Sequence, residues 1–208
     1  MDLMTPSPAA RDAREVGHRN FAAARTIARI LKVNHAGEHG AIRIYRSQVA
    51  IARWRCPDVV PKLEEMLTHE VSHRARFAGA MPSRQAKPCR MLFLWGIGGR
   101  LLGTGTALLG RNAIWACTAA VEEAVHRHLN DQLAFLSNRD QELYTLIDSI
   151  KSEELSHLDH AEKNLTSRGP IVRMLRRSID AVTELLIFMS TSGDSVRMAR
   201  ELFPSKGG

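Results

Sequence analysis

Four glutamates and two histidines recur in the sequence at a spacing that could hold metal ions. The first copy of the pattern is Glu38, Glu70 and His73, with the two glutamates 32 positions apart. A shift of 84 positions gives the second copy, which is Glu122, Glu154 and His157. Carboxylate and imidazole ligands without a thiolate favour iron or manganese over a structural zinc. The repeat therefore predicts a site for two metal ions, and a buried salt-bridge network is the alternative.

Each copy of the pattern is predicted to be a helix hairpin. The midpoints of the two gaps, positions 54 and 138, fall on or beside predicted turns at residues 56–58 and 137–140. Residues equidistant from the turn of an antiparallel hairpin lie at the same level, so each lone glutamate faces the Glu-x-x-His of its own hairpin. Within Glu-x-x-His, side chains three positions apart share one helix face. Packing two such hairpins together gives the ligand arrangement of ferritin-like bundles.

Apolar periodicity predicts the helices that must position these residues. It indicates helices at about residues 21–53, 112–136, 141–166 and 171–191, and one whose inner face runs from Leu63 to Phe77. We therefore predict an all-α, ferritin-like four-helix bundle built from two helix hairpins, with an extra apolar interfacial helix between them and a C-terminal helix. One di-iron domain would span residues 21–192, between a flexible basic N-terminus (1–20) and a flexible C-terminal tail (193–208).

The stretch between Glu70 and Glu122 is basic and apolar. It contains no acidic residue, and its seven arginines and lysines equal the formal net charge of +7. It also contains Met91–Leu109, the most apolar part of the chain. Such a combination predicts contact with a membrane surface. Its uncharged runs are shorter than the roughly 20 residues of a spanning helix, so we predict an interfacial or lid-like helix, with a buried core helix as the alternative.

The remaining polar residues give weaker signals. His35, Tyr45 and His128 are candidates to hydrogen-bond the metal ligands, although a core role for Tyr45 fits equally well. The other histidines are predicted to be structural or solvent-facing. The three cysteines, Cys56, Cys89 and Cys117, have no Cys-x-x-Cys spacing and are predicted to be reduced thiols.

Five stretches of the chain resemble one known family, the demethoxyubiquinone hydroxylases, which are ferritin-like di-iron monooxygenases of ubiquinone biosynthesis. The stretches are Val33–Tyr45, Glu70–His73, Gly103–Gly110, Ala116–Glu123 and Glu153–His157. The similarity covers about residues 28–165. It implies iron ligands at the six positions that the repeat selects. The family usually has Asp where Asn34 stands and Tyr where His39 and Leu129 stand.

The resemblance implies O2-dependent hydroxylation of a ring C–H of a polyprenylated demethoxyquinol by two iron ions. Electrons would come from the quinol or from an external donor such as NADH or NADPH. The sequence has no Gly-x-Gly-x-x-Gly motif after a strand, so it does not indicate a dinucleotide-binding domain. The implied partners are the polyprenyl quinol, a membrane surface reached through Met91–Leu109, and other ubiquinone-biosynthesis proteins. The implied location is the cytoplasmic face of a bacterial inner membrane, or the mitochondrial inner membrane in a eukaryote.

Three other functions are compatible with a bundle of this kind. A di-iron hydroxylase of a modified tRNA base would also suit a pI near 9.8, but its basic residues should line a polar rim. In this chain they are interleaved with Leu, Phe and Trp, so a nucleic-acid partner is not expected. A non-redox iron-binding protein needs no apolar entry segment, and a metal-free scaffold would not keep all six ligands.

Overall fold

The computed structural model describes the backbone of residues 8–191 and the side chains of residues 21–190. Its helices are α1 (Pro8–Arg55), α2 (Val60–Ala80), α3 (Leu92–Leu109), α4 (Arg111–Leu136), α5 (Gln141–Asn164) and α6 (Pro170–Thr191). Short 3-10 turns, Pro57–Val59 and Pro82–Arg84, lie at the two ends of α2. Residues 8–191 form no strand, so the predicted all-α bundle is confirmed.

Both predicted hairpins are present, and most helix ends fall within two residues of their predicted positions. The start of the first helix was predicted wrongly, since α1 begins at Pro8 and not near Phe21. Apolar periodicity in the sequence begins near Phe21, whereas Ala and Arg favour helix through intrinsic propensity and proline is tolerated at a first helical position. The predicted flexible tail at 193–208 and residues 1–7 of the predicted flexible N-terminus lie outside the described residues.

Two apolar clusters enclose the level of the bundle at which the candidate ligands lie. One cluster includes Tyr45, Met66, Ala119 and Ala161. The other includes Leu31, Phe77, Leu129 and Ile150. On each of the four hairpin helices, the candidate ligands lie between a residue of one cluster and a residue of the other. The core therefore separates the polar layer from solvent at both ends of the bundle.

Helix α3 packs so closely on α1 that the backbones of the two helices are in contact. A Cβ atom added at Gly103 would be 2.4 Å from the carbonyl oxygen of Ile44, and one added at Gly99 would be 2.5 Å from that of Gly40. Only glycine permits so close an approach. On the same side, Gln48 Nε2 donates to Thr106 Oγ1 at 3.1 Å. The extra helix between the hairpins is thus an outer layer on α1.

The outward face of α3 is apolar and exposed, so α3 is not the buried core helix of the alternative prediction. Phe93 and Leu101 are 62% and 70% exposed. By length and composition alone, α3 is long and apolar enough to cross a membrane, contrary to the prediction from its short uncharged runs. Helix α6 packs beside it, where Trp95 Nε1 donates to Ser190 Oγ at 2.8 Å.

Candidate metal centre

The six residues selected by the repeat converge in one buried layer. Their side chains come from the four hairpin helices: Glu38 from α1, Glu70 and His73 from α2, Glu122 from α4, and Glu154 and His157 from α5. All six are buried. Their oxygen and nitrogen atoms form two groups, in each of which every atom lies within 4.8 Å of the others.

Two glutamates belong to both groups. One group consists of Glu38, Glu70, His73 and Glu154, and the other of Glu70, Glu122, Glu154 and His157. Glu70 and Glu154 are therefore placed to bridge two cations, while the remaining four residues would each serve one. The bridging positions are the glutamates of the two Glu-x-x-His motifs.

Both histidines direct Nδ1 towards these carboxylates. His73 Nδ1 lies 2.9 Å from Glu154 Oε1, and His157 Nδ1 lies 3.2 Å from Glu154 Oε2. The first of these contacts lacks the alignment of a hydrogen bond, so His73 Nδ1 is buried without a hydrogen-bond partner, as is Glu70 Oε1. Buried nitrogen and oxygen atoms that lie close together without bonding each other can all bind one cation.

The outer nitrogen of each histidine contacts a residue of the opposite hairpin that sequence analysis did not select. His73 Nε2 lies 3.2 Å from Glu153 Oε2, and His157 Nε2 lies 2.9 Å from His69 Nδ1. Each of these partners directly precedes the glutamate of a Glu-x-x-His motif, and the two are 84 positions apart. Such contacts fix the tautomer and the ring orientation of a ligating histidine.

The layer carries more negative charge than its neighbours neutralise. Burial and the adjacent Glu70 raise the pKa of Glu38 well above its usual value. Burial and Glu154 raise the pKa of Glu122 to about 7. Although burial lowers the pKa of His157, its contacts with Glu122, Glu154 and Glu70 raise it to about 12. Divalent cations would replace these protons, so the donors fit two iron ions in charge and in chemistry.

The three candidates for contact with the ligands have different surroundings. Tyr45 donates a hydrogen bond of 2.7 Å to Glu122 Oε1. His35 instead accepts from Arg74 Nε at 3.3 Å. His128 Nε2 lies 3.0 Å from Glu184 Oε1 on α6. Of the three, Tyr45 is therefore the one that has a hydrogen bond to a candidate ligand.

A cavity of about 440 Å³ reaches this layer between α1, α3, α4 and α6. Its walls are mostly aliphatic. Glu38, Glu70, Glu122 and Glu154 lie at its inner end, and Gly98, Leu101 and Leu102 of α3 line it as well. Gly37 leaves open space on the cavity side, since a Cβ atom added there would meet nothing within 4 Å. The donors are thus accessible to an apolar molecule of moderate size.

A pair of amides supplies polar groups to this cavity. Asn34 Nδ2 donates to Gln132 Oε1 at 2.8 Å, and Gln132 Nε2 donates to Asn34 Oδ1 at 2.9 Å. Both residues line the cavity. Each amide keeps one N–H that this mutual pairing does not use. The cavity can therefore bind a mostly apolar molecule that carries a few oxygen atoms.

The chain matches known proteins along most of its length. Residues 25–190 match the family described as ubiquinone biosynthesis protein COQ7. The chain is 40% identical over 164 residues to a 3-demethoxyubiquinol 3-hydroxylase of Rhodospirillum rubrum, with 79% of this chain and 77% of the relative covered. It is 36% identical over 166 residues to the NADPH-dependent mitochondrial 3-demethoxyubiquinone 3-hydroxylase of Homo sapiens, with 78% and 76% covered.

Proposed function

This chain belongs to the family of the ubiquinone biosynthesis protein COQ7, and we propose that it is a di-iron monooxygenase that hydroxylates a ring carbon of a polyprenylated demethoxyquinol. The observation that carries the proposal is the apolar cavity whose inner end is formed by four buried glutamates. In the reaction, one atom of O2 enters a ring C–H bond and the other leaves as water. Two electrons and two protons complete the balance, and a reduced nicotinamide is the proposed external donor.

The six converging residues are the proposed iron ligands. Glu38, Glu70, His73 and Glu154 would hold one ion, and Glu70, Glu122, Glu154 and His157 would hold the other. Iron bound there would supply the activation of O2. Tyr45 keeps Glu122 oriented through its hydrogen bond of 2.7 Å. Glu153 and His69 keep the two imidazoles turned with Nδ1 inward.

The cavity orients the substrate and excludes water from the ring. Its aliphatic walls receive the ring and the first part of the prenyl chain, since polar groups there are few. The spare amide N–H groups of Asn34 and Gln132 can donate to the ring oxygens. Such contacts would present one ring carbon to the iron ligands and hold the substrate in one orientation.

The proposed substrate is a membrane lipid, so α3 is proposed to lie on a membrane surface. Exposed Phe93, Ile97 and Leu101 would enter the lipid, and Leu101 also lines the cavity. A prenyl tail could therefore pass from lipid to cavity along α3. The proposed location is the cytoplasmic face of a bacterial inner membrane, or the mitochondrial inner membrane in a eukaryote, beside other ubiquinone-biosynthesis proteins.

Flotation with anionic vesicles tests the membrane contact. We expect the protein to float with the vesicles and the Leu101→Asp variant to remain in solution. Leu155→Asp is a matched control, because Leu155 is also an exposed leucine but lies on α5. Equal flotation of all three proteins would show that α3 is not the helix that contacts the membrane.

Mass spectrometry tests the activity. Iron-loaded protein with a short-chain demethoxyquinol, NADH and isotopically labelled O2 should give a product that contains one labelled oxygen atom. An unchanged substrate in the presence of two bound irons would refute the hydroxylase proposal and leave iron binding as the function. A tRNA base is not favoured as substrate, since an aliphatic cavity offers few partners for its polar edges.

A further inference from the structure

A second cluster of polar side chains lies on the outer side of α1, where α2 and α3 flank it. Its α1 members are His35, His39, Arg43 and Arg46, and the neighbouring helices add Arg74 and Arg100. His35, His39 and Arg43 are four positions apart and therefore share one stripe of α1. None of these residues has a role in the proposed hydroxylation.

The glycines of α3 bring it close to this stripe. A Cβ atom added at Gly96 would be 3.1 Å from His39 Nε2, and one added at Gly99 would be 3.0 Å from the Cβ atom of Arg43. Arg100 follows Gly99 directly and is exposed. The backbone contact of α1 with α3 thus places Arg100 beside Arg43.

The cluster contains a buried hydrogen-bond donor without an acceptor. His35 is 5% exposed, and its Nε2 accepts from Arg74 Nε at 3.3 Å. An imidazole that accepts at Nε2 carries its proton on Nδ1. His35 Nδ1 is buried and has no hydrogen-bond partner, and the same is true of His39 Nδ1. Leaving a buried donor unpaired is costly, and the hydrogen bond of His35 Nε2 holds Arg74 within the cluster.

The positive charge of the cluster is not compensated by the chain. Among residues 21–190, Arg43, Arg46, Arg74 and Arg100 form no ion pair, whereas Arg53, Arg84, Arg127 and Arg176 each contact a carboxylate. Burial and the charges of Arg100, Arg46 and Arg74 lower the pKa of Arg43. Like charges held together in this way attract an anion.

We propose that Arg43, Arg74 and Arg100 bind a phosphate group, and that His35 holds Arg74 in place for it. Guanidinium groups match phosphate oxygens in geometry and form charge-assisted hydrogen bonds with them. The phosphate belongs to an anionic phospholipid head group or to a soluble phosphate ester. The lipid source fits the position of Arg100, which lies three residues after exposed Ile97 on α3. The site is separate from the metal centre, so it stands even if the hydroxylase proposal fails.

Two binding measurements on the iron-loaded, full-length protein test the site and distinguish the sources. Calorimetry with glycerophosphoglycerol, the soluble head group of phosphatidylglycerol, measures a soluble phosphate ester. Co-sedimentation with phosphatidylcholine vesicles, with and without phosphatidylglycerol, measures the lipid. Arg74→Gln and Arg100→Gln should each weaken binding about tenfold in whichever assay detects it.

Arg53→Gln is the matched control. It removes the same charge from α1, but Arg53 pairs with Glu64 and lies outside the cluster. We expect this variant to bind as the wild type does. Binding that Arg74→Gln and Arg100→Gln leave unchanged would place the phosphate elsewhere, for example on the iron, and would overturn the proposal. Absence of binding in both assays would overturn it too.

Discussion

The imidazoles of His69 and His157 lie edge to edge and almost in one plane, with ring centroids 5.2 Å apart and planes inclined by 10°. The Nδ1 atom of His69 lies 2.9 Å from Nε2 of His157. In the other half of the site, the carboxylate of Glu153 takes the equivalent place beside His73. A carboxylate makes an imidazole a stronger donor to a metal than a neutral acceptor does. The two halves of the centre therefore have the same types of candidate ligand, but different residues contact their histidines.

Replacement of His69 should weaken iron binding. In the His69→Ala variant, Nε2 of His157 loses its partner and the ring loses its fixed orientation. We expect the affinity for Fe(II) to fall about tenfold to a hundredfold, measured by titration against a competing chelator. His69→Gln should recover most of the affinity, because an amide oxygen can accept from His157 Nε2.

The control for this variant is His160→Ala. His160 is half-buried, as His69 is, but its ring packs edge-on against Trp115 with ring centroids 5.0 Å apart. Its loss should leave iron affinity unchanged. If His69→Ala binds iron as tightly as the wild type, the contact with His157 has no part in holding the metal.

Iron stoichiometry should distinguish bridging from terminal glutamates. Glu70 belongs to both groups of donor atoms and Glu38 to one. We therefore expect Glu70→Ala to lose both irons and Glu38→Ala to retain one, measured by elemental analysis of purified protein. Glu64→Ala is the control, since Glu64 lies on the same helix and contacts Arg53 at the surface. Two irons retained in Glu70→Ala would contradict the proposed ligand set.

The metal-free protein should become less stable as pH rises. The pKa of Glu122 is raised from 4.5 to about 7 by burial and Glu154, so between these pH values the folded protein binds more protons than the unfolded chain. The unfolding free energy then falls with rising pH. The raised pKa of His157 acts in the same direction above pH 6.5. From pH 5 to 8 we expect Glu122 to contribute a loss of about 3 kcal/mol.

Denaturant unfolding with a chelator present measures this effect. The Glu122→Gln variant isolates it, because an amide of the same shape does not titrate. The variant should lose less stability than the wild type between the two pH values. Iron should reverse the trend in the wild type, since protons compete with iron for the carboxylates. Equal pH dependence in both metal-free proteins would contradict the assignment to Glu122.

The convergence of the six candidate ligands was predictable from sequence, whereas the residues that contact the two histidines were not. Metal ligation would require the same residue types in both hairpins, and Glu70 and Glu154 recur at a fixed offset. The residues that contact the histidines need only offer an acceptor atom, so they can differ in type between the two copies. His69 and Glu153 do differ, and a repeat of identical residues therefore does not include them. Both residues directly precede the glutamate of a Glu-x-x-His motif, and both can accept a hydrogen bond. Polar residues at these equivalent positions were the available sequence signal.

The directions of other side chains depend on elements outside the repeat. His35 and His128 lie near ligands in the sequence, but Arg74 and Glu184 are their hydrogen-bond partners. Glu184 belongs to α6, which follows both copies of the repeat, so the repeat contains no information about where it packs. The same holds for the cavity, which α3 and α6 complete.

The glycines of α3 allow a direct test of its contact with α1. In Gly103→Ala, the new Cβ atom would lie 2.4 Å from a backbone oxygen of Ile44, so the two helices must separate. We expect a loss of about 1–3 kcal/mol in unfolding free energy. Because α3 lines the cavity, hydroxylation should fall while the iron content stays at two. Gly105→Ala is the matched control, since its Cβ atom would meet nothing within 4 Å and alanine favours a helix by about 1 kcal/mol. Gly103→Ala with unchanged stability would mean that α3 is not held against α1 at this distance.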